Sequence, residues 1–357
     1  MVGGYPEKKS VKTTPSLPLL KLIEKRCCNM IKEILPKIYQ IEIPLPKNPL
    51  KALNSYLIKG EEEYLLVDTG FNRRECQEVL FQALDSLEVD LKKTKVLITH
   101  LHADHSGLAE VLYSKGATLL MEPEEALRIK ALSKEKNWET MKGDLKTFGL
   151  EVGKNFFDDH PGRIYAPKGD FAYEKIHEGE NIVIGDYSFE VISVPGHTPG
   201  MINLFDRENR IYLSADHVLE TITPNIGFWG YDQEKMLQKY LKSLRKVQEY
   251  PVTVMLPSHR GLIRKPKERI EELIAHHQER LKEVENIING KDRPLTVEDV
   301  AKDMDWRIPA KSWGDFPPPQ KSFAAGEAMS HLEYLKDHGR IKAYWKGNVI
   351  YFARNTQ

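Results

Sequence analysis

Four side chains that can ligate a metal fall within six residues, His100, His102, Asp104 and His105, in the string Thr99-His-Leu-His-Ala-Asp-His-Ser-Gly107. They follow an apolar run, so a strand end and a tight loop can turn His100 and His102 to one cation while Asp104 and His105 face a neighbour. Imidazole and carboxylate both suit Zn²⁺ at roughly 2.0–2.2 Å. Three more places repeat the pattern of a ligand just past an apolar strand: His197 in Val194-Pro-Gly-His-Thr-Pro-Gly200, Asp216 in Ser214-Ala-Asp-His217, and His259 in Leu256-Pro-Ser-His-Arg260. Loops at the ends of neighbouring strands converge in space, so residues far apart in sequence can build one centre. The chemistry implied is metal activation of water. Ser106 and Ser258 lie beside these residues, but neither has the strand-to-helix GxSxG elbow of a serine nucleophile. Cys27, Cys28 and Cys76 are odd in number and include an adjacent pair, which disfavours both disulfides and a cysteine metal site and fits a reduced compartment.

The elements that must position these residues alternate between strands and helices. Strand-like runs at 38–44, 54–59 and 63–68 precede a helical spacing at 74–87, a short buried strand at 95–99 and a helix restarting at 106–114. Strands return at 181–184, 189–194 and 210–214, followed by a helix over 232–250 and a strand over 252–256. Between them, residues 117–180 read as an insertion with helices at 124–131 and 138–149. Residues 1–17 read as an arm without periodicity, and residues 19–34 carry a short helical pattern. From Pro266 the order is a long helix to about 289, a helix at 296–304, a loop at Phe316-Pro317-Pro318-Pro319, a helix at 324–338 and a hairpin around Lys346-Gly347-Asn348. The expected division is an arm and helix at 1–33, a catalytic domain at 34–265 and a C-terminal domain at 266–357.

The string HxHxDH, a later histidine in a PGHT turn, an aspartate after a strand and a last histidine together resemble the metallo-β-lactamase superfamily, in particular its glyoxalase-II-like and lactamase-B2-like members. The resemblance implies an α/β fold of α+β type, an αββα sandwich with the site at one edge. By it, His100, His102 and His197 would hold one metal, Asp104, His105 and His259 the second, and Asp216 would bridge them. Asp104 and Asp216 would be the catalytic carboxylates, and Asp68, in the Asp-Thr-Gly turn, would fix the histidine loop. The tail resembles a winged-helix-like module. The function implied is a binuclear hydrolase that uses a metal-bridging hydroxide on a thioester, ester or lactone, with two divalent cations, zinc before iron or manganese. Two alternatives share the ligands: a metal-dependent endoribonuclease and a mononuclear-iron persulfide dioxygenase.

Around that core, Phe228, Trp229 and Tyr231 lie on an expected active-site loop as candidate walls of a substrate pocket, and Arg260 is a candidate contact for an anionic group. The insertion is expected to cover the site and set substrate choice. His160, His177, His276, His277, His331 and His338 fit no motif and default to solvated positions. The chain has 52 Lys+Arg against 52 Asp+Glu, so no global field draws it to nucleic acid or an anionic membrane. The tail is likewise balanced; Arg340, Lys342, Lys346 and Arg354 around the hairpin form its one basic cluster, and RNA binding is disfavoured. No apolar run reaches the roughly 18–20 residues of a membrane span. A small-molecule substrate and a cytoplasmic location are expected, with a homodimer implied by resemblance alone.

Overall fold

The computed structural model describes residues 30–307 and 309–355. Strands β1 (Ile31–Leu35), β2 (Ile38–Pro44), β3 (Ala52–Lys59) and β4 (Tyr64–Val67) form an antiparallel meander. Helix α1 (Arg74–Ser86) returns the chain so that β5 (Thr94–Ile98) lies parallel to β4. Short helices α2 (Ala103–Ser106) and α3 (Ala109–Ser114) return it again to β6 (Thr118–Met121), parallel to β5. An excursion through α4 (Pro123–Leu132), α5 (Glu135–Thr147) and α6 (Pro161–Tyr165) ends in the two-residue β7 (Glu174–Lys175), which completes a seven-stranded sheet in chain order.

The second sheet comprises β8 (Asn181–Ile184), β9 (Tyr187–Ser193), β10 (Ile202–Asp206), β11 (Ile211–Ala215) and, beyond helix α7 (Met236–Gln248), β12 (Val254–Pro257). Its strands follow in sequence across the sheet, antiparallel except for the parallel pair β11 and β12. Side chains alternate across each strand, and the alternation makes the sandwich. Leu65, Val67, Leu97 and Leu120 of the first sheet meet Phe189, Val191, Leu204 and Leu213 of the second in one buried cluster. Their sequence neighbours Leu66, Val96, Leu119, Phe205 and Tyr212 point outward and pack under helices. The layers are helix, sheet, sheet, helix.

The C-terminal part contains α8 (Pro266–Asn289), β13 (Leu295–Thr296), α9 (Val297–Asp303), α10 (Pro318–Asp337), β14 (Ile341–Lys346) and β15 (Val349–Arg354), the strands forming a small antiparallel sheet with β15 in the middle. Its apolar core does not stand apart. Leu273, Leu281, Met329 and Leu332 are continuous with Leu237, Tyr240 and Leu244 of α7 in the cluster that covers the outer faces of the sheets.

Several expectations change. Residues 31–34 are strand rather than helix, because Ile31, Lys32 and Glu33 find backbone partners in Ile41, Gln40 and Tyr39 of β2. The rest of the expected arm and helix, with Cys27 and Cys28, lies outside the described residues. The stretch 117–180 is not wholly an insertion, since β6 and β7 belong to the main sheet. Strand β10 escaped pattern reading: it is buried on both faces, which erases the period of two, and of its two polar residues Asn203 satisfies its amide on the Leu213 carbonyl at 2.9 Å while Asp206 accepts from the Ser188 amide at 2.9 Å. Helix α10 starts inside the proline run, where Pro318 and Pro319 occupy the first turn and their missing N–H groups have no helical acceptor to lose.

Candidate metal centre

The strands end at one edge of the sandwich, and the loops beyond them carry all seven expected ligands. β5 delivers His100 and His102, α2 delivers Asp104 and His105, and the loops after β9, β11 and β12 deliver His197, Asp216 and His259. They form two groups, His100–His102–His197–Asp216 and Asp104–His105–His259. In the first, Nδ1 of His102 lies 3.1 Å from Nε2 of His100 and 3.0 Å from Nε2 of His197. In the second, Nε2 of His259 and Nε2 of His105 stand 3.5 Å and 3.8 Å from Oδ2 of Asp104. Asp216 reaches both groups, its Oδ2 3.7 Å from Nε2 of His197 and 3.6 Å from Nε2 of His105, and its Oδ1 3.5 Å from Nε2 of His259.

Every imidazole but one has its other nitrogen tied down, which fixes the tautomer and aims the free nitrogen inward. Nδ1 of His105 donates to Asp68 at 2.7 Å, Nδ1 of His259 to the Ala52 carbonyl at 2.7 Å, and Nδ1 of His197 to the Asn225 carbonyl at 2.8 Å. His100 uses the Thr99 hydroxyl at 3.1 Å. Asp68, in the left-handed region at φ 61 just past β4, is the hub: it also accepts from the Thr99 amide at 2.9 Å and the Thr99 hydroxyl. The adjoining turn locks onto α2, with Thr69 and Gly70 amides on the carbonyls of His105 and Asp104. Gly107 permits that approach, since a Cβ there would meet the Gly70 carbonyl and the Asn72 amide within 2.6 Å.

The donor set fits a pair of cations. Four atoms at tetrahedral corners around Zn²⁺ stand about 3.3–3.6 Å apart, close to the spacings between these side chains. Nε2 of His105, Nε2 of His259 and Oδ1 of Asp216 are buried with no hydrogen-bond partner among the described residues, a costly arrangement unless a cation meets them. Burial and neighbouring imidazoles push His100 well below its ordinary range and His102 down to about 3. Burial opposes ionisation of Asp104, yet His105 and His259 hold it down at about 2, and the same two histidines hold Asp216 well down. Burial likewise works against charge on His105, but Asp68, Asp216 and Asp104 raise it well above its ordinary value.

Residues 50–259 match the model of the metallo-β-lactamase superfamily. The chain belongs to that superfamily. A probable metallo-hydrolase, YqjP, of Bacillus subtilis is 25% identical over 83% of this chain and 92% of its own length. An acyl-coenzyme A thioesterase, MBLAC2, of Bos taurus is 27% identical over 47% of this chain and 58% of its own length. Among solved structures, a metallo-β-lactamase family protein, TTHA1429, from Thermus thermophilus superposes with a TM-score of 0.77 at 27% identity, covering 90% of this chain and all of its own.

In this metallo-β-lactamase frame the other expected site residues part company. Trp229 lies at the centre: its ring is 5.8 Å from that of His102 and its indole N–H donates to the His197 carbonyl at 3.0 Å. Phe228 and Tyr231 pack away from the ligands, Phe228 on Phe148 and Tyr231 on Trp345, with the Tyr231 hydroxyl on Thr147. The Arg260 guanidinium donates to the carbonyls of Leu50 at 2.9 Å and Pro49 at 3.2 Å, so it braces the loop after β2. His217 is buried with neither ring nitrogen partnered. His277 and His331 are fully buried and 3.2 Å apart, contrary to the solvated default, because both face the junction between α8 and α10. His160 is half-buried between Trp138 and Phe323, and that burial lowers it to about 4. His177 and His338 are exposed.

Two residues of consequence went unread. Glu125, fully buried on α4, accepts the Leu101 amide at 2.6 Å and the Gly200 amide at 2.7 Å, joining the loop of His100 and His102 to that of His197. Its only trace in the sequence is a carboxylate at an inward position of the amphipathic run 124–131. Asn225 carried no signal, because its backbone does the work on His197.

Proposed function

We propose that the protein is a metal-dependent hydrolase with a binuclear centre, acting on a thioester, ester or lactone, with an acyl thioester as the leading class. The observation that carries this reading is the position of Asp216, whose two oxygens face the free nitrogens of both ligand groups. Support for a thioester comes from the likeness to the MBLAC2 acyl-coenzyme A thioesterase over 47% of the chain. Two divalent cations bound there, zinc being the best match to the donors, would supply a hydroxide nucleophile near neutral pH and polarise the scissile carbonyl.

The chain's own groups do the rest. Asp104, 8% exposed and kept ionised by His105 and His259, is placed to accept a hydrogen bond from an attacking water and so orient it. Trp229 walls the side of His102 and excludes water from an acyl group seated there. Asp68, Ala52, Thr99 and Asn225 keep the imidazoles aimed, so little reorganisation precedes the reaction. The glyoxalase-II-like or lactamase-B2-like character belongs to the same proposal. An RNA substrate is less well served, because Arg340 of the hairpin is paired with Glu285 at 2.8 Å and Arg354 lies 3.4 Å from Asp292.

The test is metal analysis on protein prepared without chelator and under nitrogen, followed by a panel of acyl-coenzyme A thioesters, aryl esters, lactones and RNA. Close to two ions per chain is expected, with thioester hydrolysis that is abolished by chelation and by His102→Ala or Asp216→Ala in folded protein. Turnover that survives either substitution would refute the proposal, and one iron per chain with oxygen consumption would replace it with the dioxygenase reading.

A further inference from the structure

His197 takes its tautomer from a single backbone carbonyl, and that carbonyl belongs to a segment with no regular structure of its own. Residues 219–231 lie outside every helix and strand. What holds them still comes from the C-terminal part. Helix α10 runs directly behind the segment: the Asn225 side-chain amide donates to Oε2 of Glu327 at 2.7 Å and to the Phe323 carbonyl at 3.3 Å, while the Ser330 hydroxyl donates to the carbonyls of Ile226 and Gly227. The backbones are close enough that a Cβ on Gly326 would stand 3.2 Å from the Phe228 amide nitrogen. At the start of the segment, the Arg269 guanidinium on α8 donates to the carbonyls of Leu219 at 2.7 Å and Ile222 at 2.9 Å.

Glu327 is in turn fixed from its far side. Its side chain is 12% exposed, and its Oε1 lies 3.7 Å from Nε of Arg280. Arg280 is pinned by Glu283 at 2.6 Å, by the Asp305 carbonyl at 2.8 Å and by the face of Trp306. An unbroken line of polar contacts therefore runs from α8 through Glu327 and the Asn225 amide to the carbonyl that orients His197. Ligands of the second group have nothing comparable: His105 and His259 take their orientation from Asp68 and Ala52, both on the first sheet.

We propose that Glu327 is a positioning residue of the metal centre, acting through Asn225 on His197, and that the C-terminal part is thereby a constituent of the His100–His102–His197–Asp216 site. The inference rests on the two-cation reading above and adds to it that one of the two sites depends on a residue far along the chain. A carbonyl free to wander would let the imidazole swing about its χ2 axis and spread the ligand nitrogen over several positions. Outer partners of ligating histidines typically govern 10–100-fold in metal affinity, and a partner acting one step further out belongs at the lower end of that range.

The experiment uses the full-length chain stripped of metal and titrated with Co²⁺ against a chromophoric chelator. Wild type is compared with Glu327→Leu, Glu327→Gln, Asn225→Ala and the Glu327→Leu/Asn225→Ala double variant. Glu327→Leu should weaken one of the two ions roughly 10-fold, leave the other within about twofold, and alter the Co²⁺ visible band of the weakened site. Glu327→Gln keeps an acceptor for the Asn225 amide and should restore most of that loss. Asn225→Ala leaves the Glu327–Arg280 contact intact, so it separates positioning from burial of an unpaired arginine; it should match Glu327→Leu, and the double variant should be no weaker than either. Unchanged affinities, equal weakening of both ions alongside a lowered Tm, or additive losses in the double variant would overturn the inference. A wild-type chain that takes up fewer than two ions would overturn the two-cation reading and this inference with it.

Discussion

At the scale of single residues, the two ligand groups differ in the protons they must give up. Burial leaves His100, His102 and His197 below their ordinary range, so they are neutral at pH 7 before a cation arrives. Burial has the same tendency at His105 and His259, but the surrounding carboxylates override it and raise both. A raised histidine holds its proton to higher pH, so a cation must displace it there, and a lowered one has less to give. Affinity of the Asp104–His105–His259 group should therefore be full above the raised values and fall as the pH drops through them. Calorimetric Zn²⁺ titrations in buffers of different ionisation heat should show His197→Ala, which keeps the second group whole, releasing more protons than His259→Ala, which spares only the first; equal release in the two variants would refute the assignment. Asp68→Asn should act on the same group, because an amide cannot both accept from Thr99 and take the His105 proton. A loss of roughly 10–100-fold in the affinity of one ion is expected by competition against a chelator, with the other ion little changed.

The elements behind these residues explain what the sequence disclosed and what it withheld. Ligand types survive any packing, so the HxHxDH string, the PGHT turn and the two later strand-end residues were legible, and the sheets that carry them showed through their apolar runs. β6 and the two-residue, exposed β7 are too short to show a period, and β10 shows none because core covers both its faces. Histidines on helices were misjudged too, since His277 and His331 turn inward only because α8 packs on α10. Glu125 illustrates a role that no motif encodes. Burial pushes its carboxyl up to about 7, yet the anionic form is the one that accepts both the Leu101 and Gly200 amides. Glu125→Gln keeps the size but presents an NH₂ group to one of those amides, so a cost of about 1–3 kcal/mol is expected in denaturant unfolding of the metal-free protein. Loss of both histidine loops' order should also appear as faster amide exchange at residues 100–102 and 197–200; unchanged exchange there would mean α4 does not strap the loops.

On the scale of the whole molecule, the ligands all precede Pro266, which makes the remaining residues look separable, while the packing makes them a second support for the catalytic half. Arg269, Gly326, Glu327 and Ser330 grip the loop of residues 219–231 from behind, and the apolar residues of α8 and α10 continue the cluster that covers α7. Tyr240 sits at the seam, its hydroxyl on the His217 carbonyl and its ring 5.3 Å from that of His277. A chain ended at Lys265 would uncover the Tyr240 ring where it meets His277, cut through the apolar cluster that α7 shares with Leu273, Leu281, Met329 and Leu332, and release the segment that orients His197. Each large apolar side chain uncovered at that seam costs roughly 1.5–3 kcal/mol, a sizeable part of the marginal stability of a domain, so the truncated chain should not remain a folded monomer. Expression of residues 30–265 beside the full chain, with light scattering, thermal unfolding and metal content as readouts, should give aggregates or a Tm lower by at least about 10 °C and loss of bound metal. A truncated protein that stays monomeric, melts normally and holds two ions would show that the second sheet and α7 suffice alone, and the dependence of His197 on Glu327 would fall with the same result.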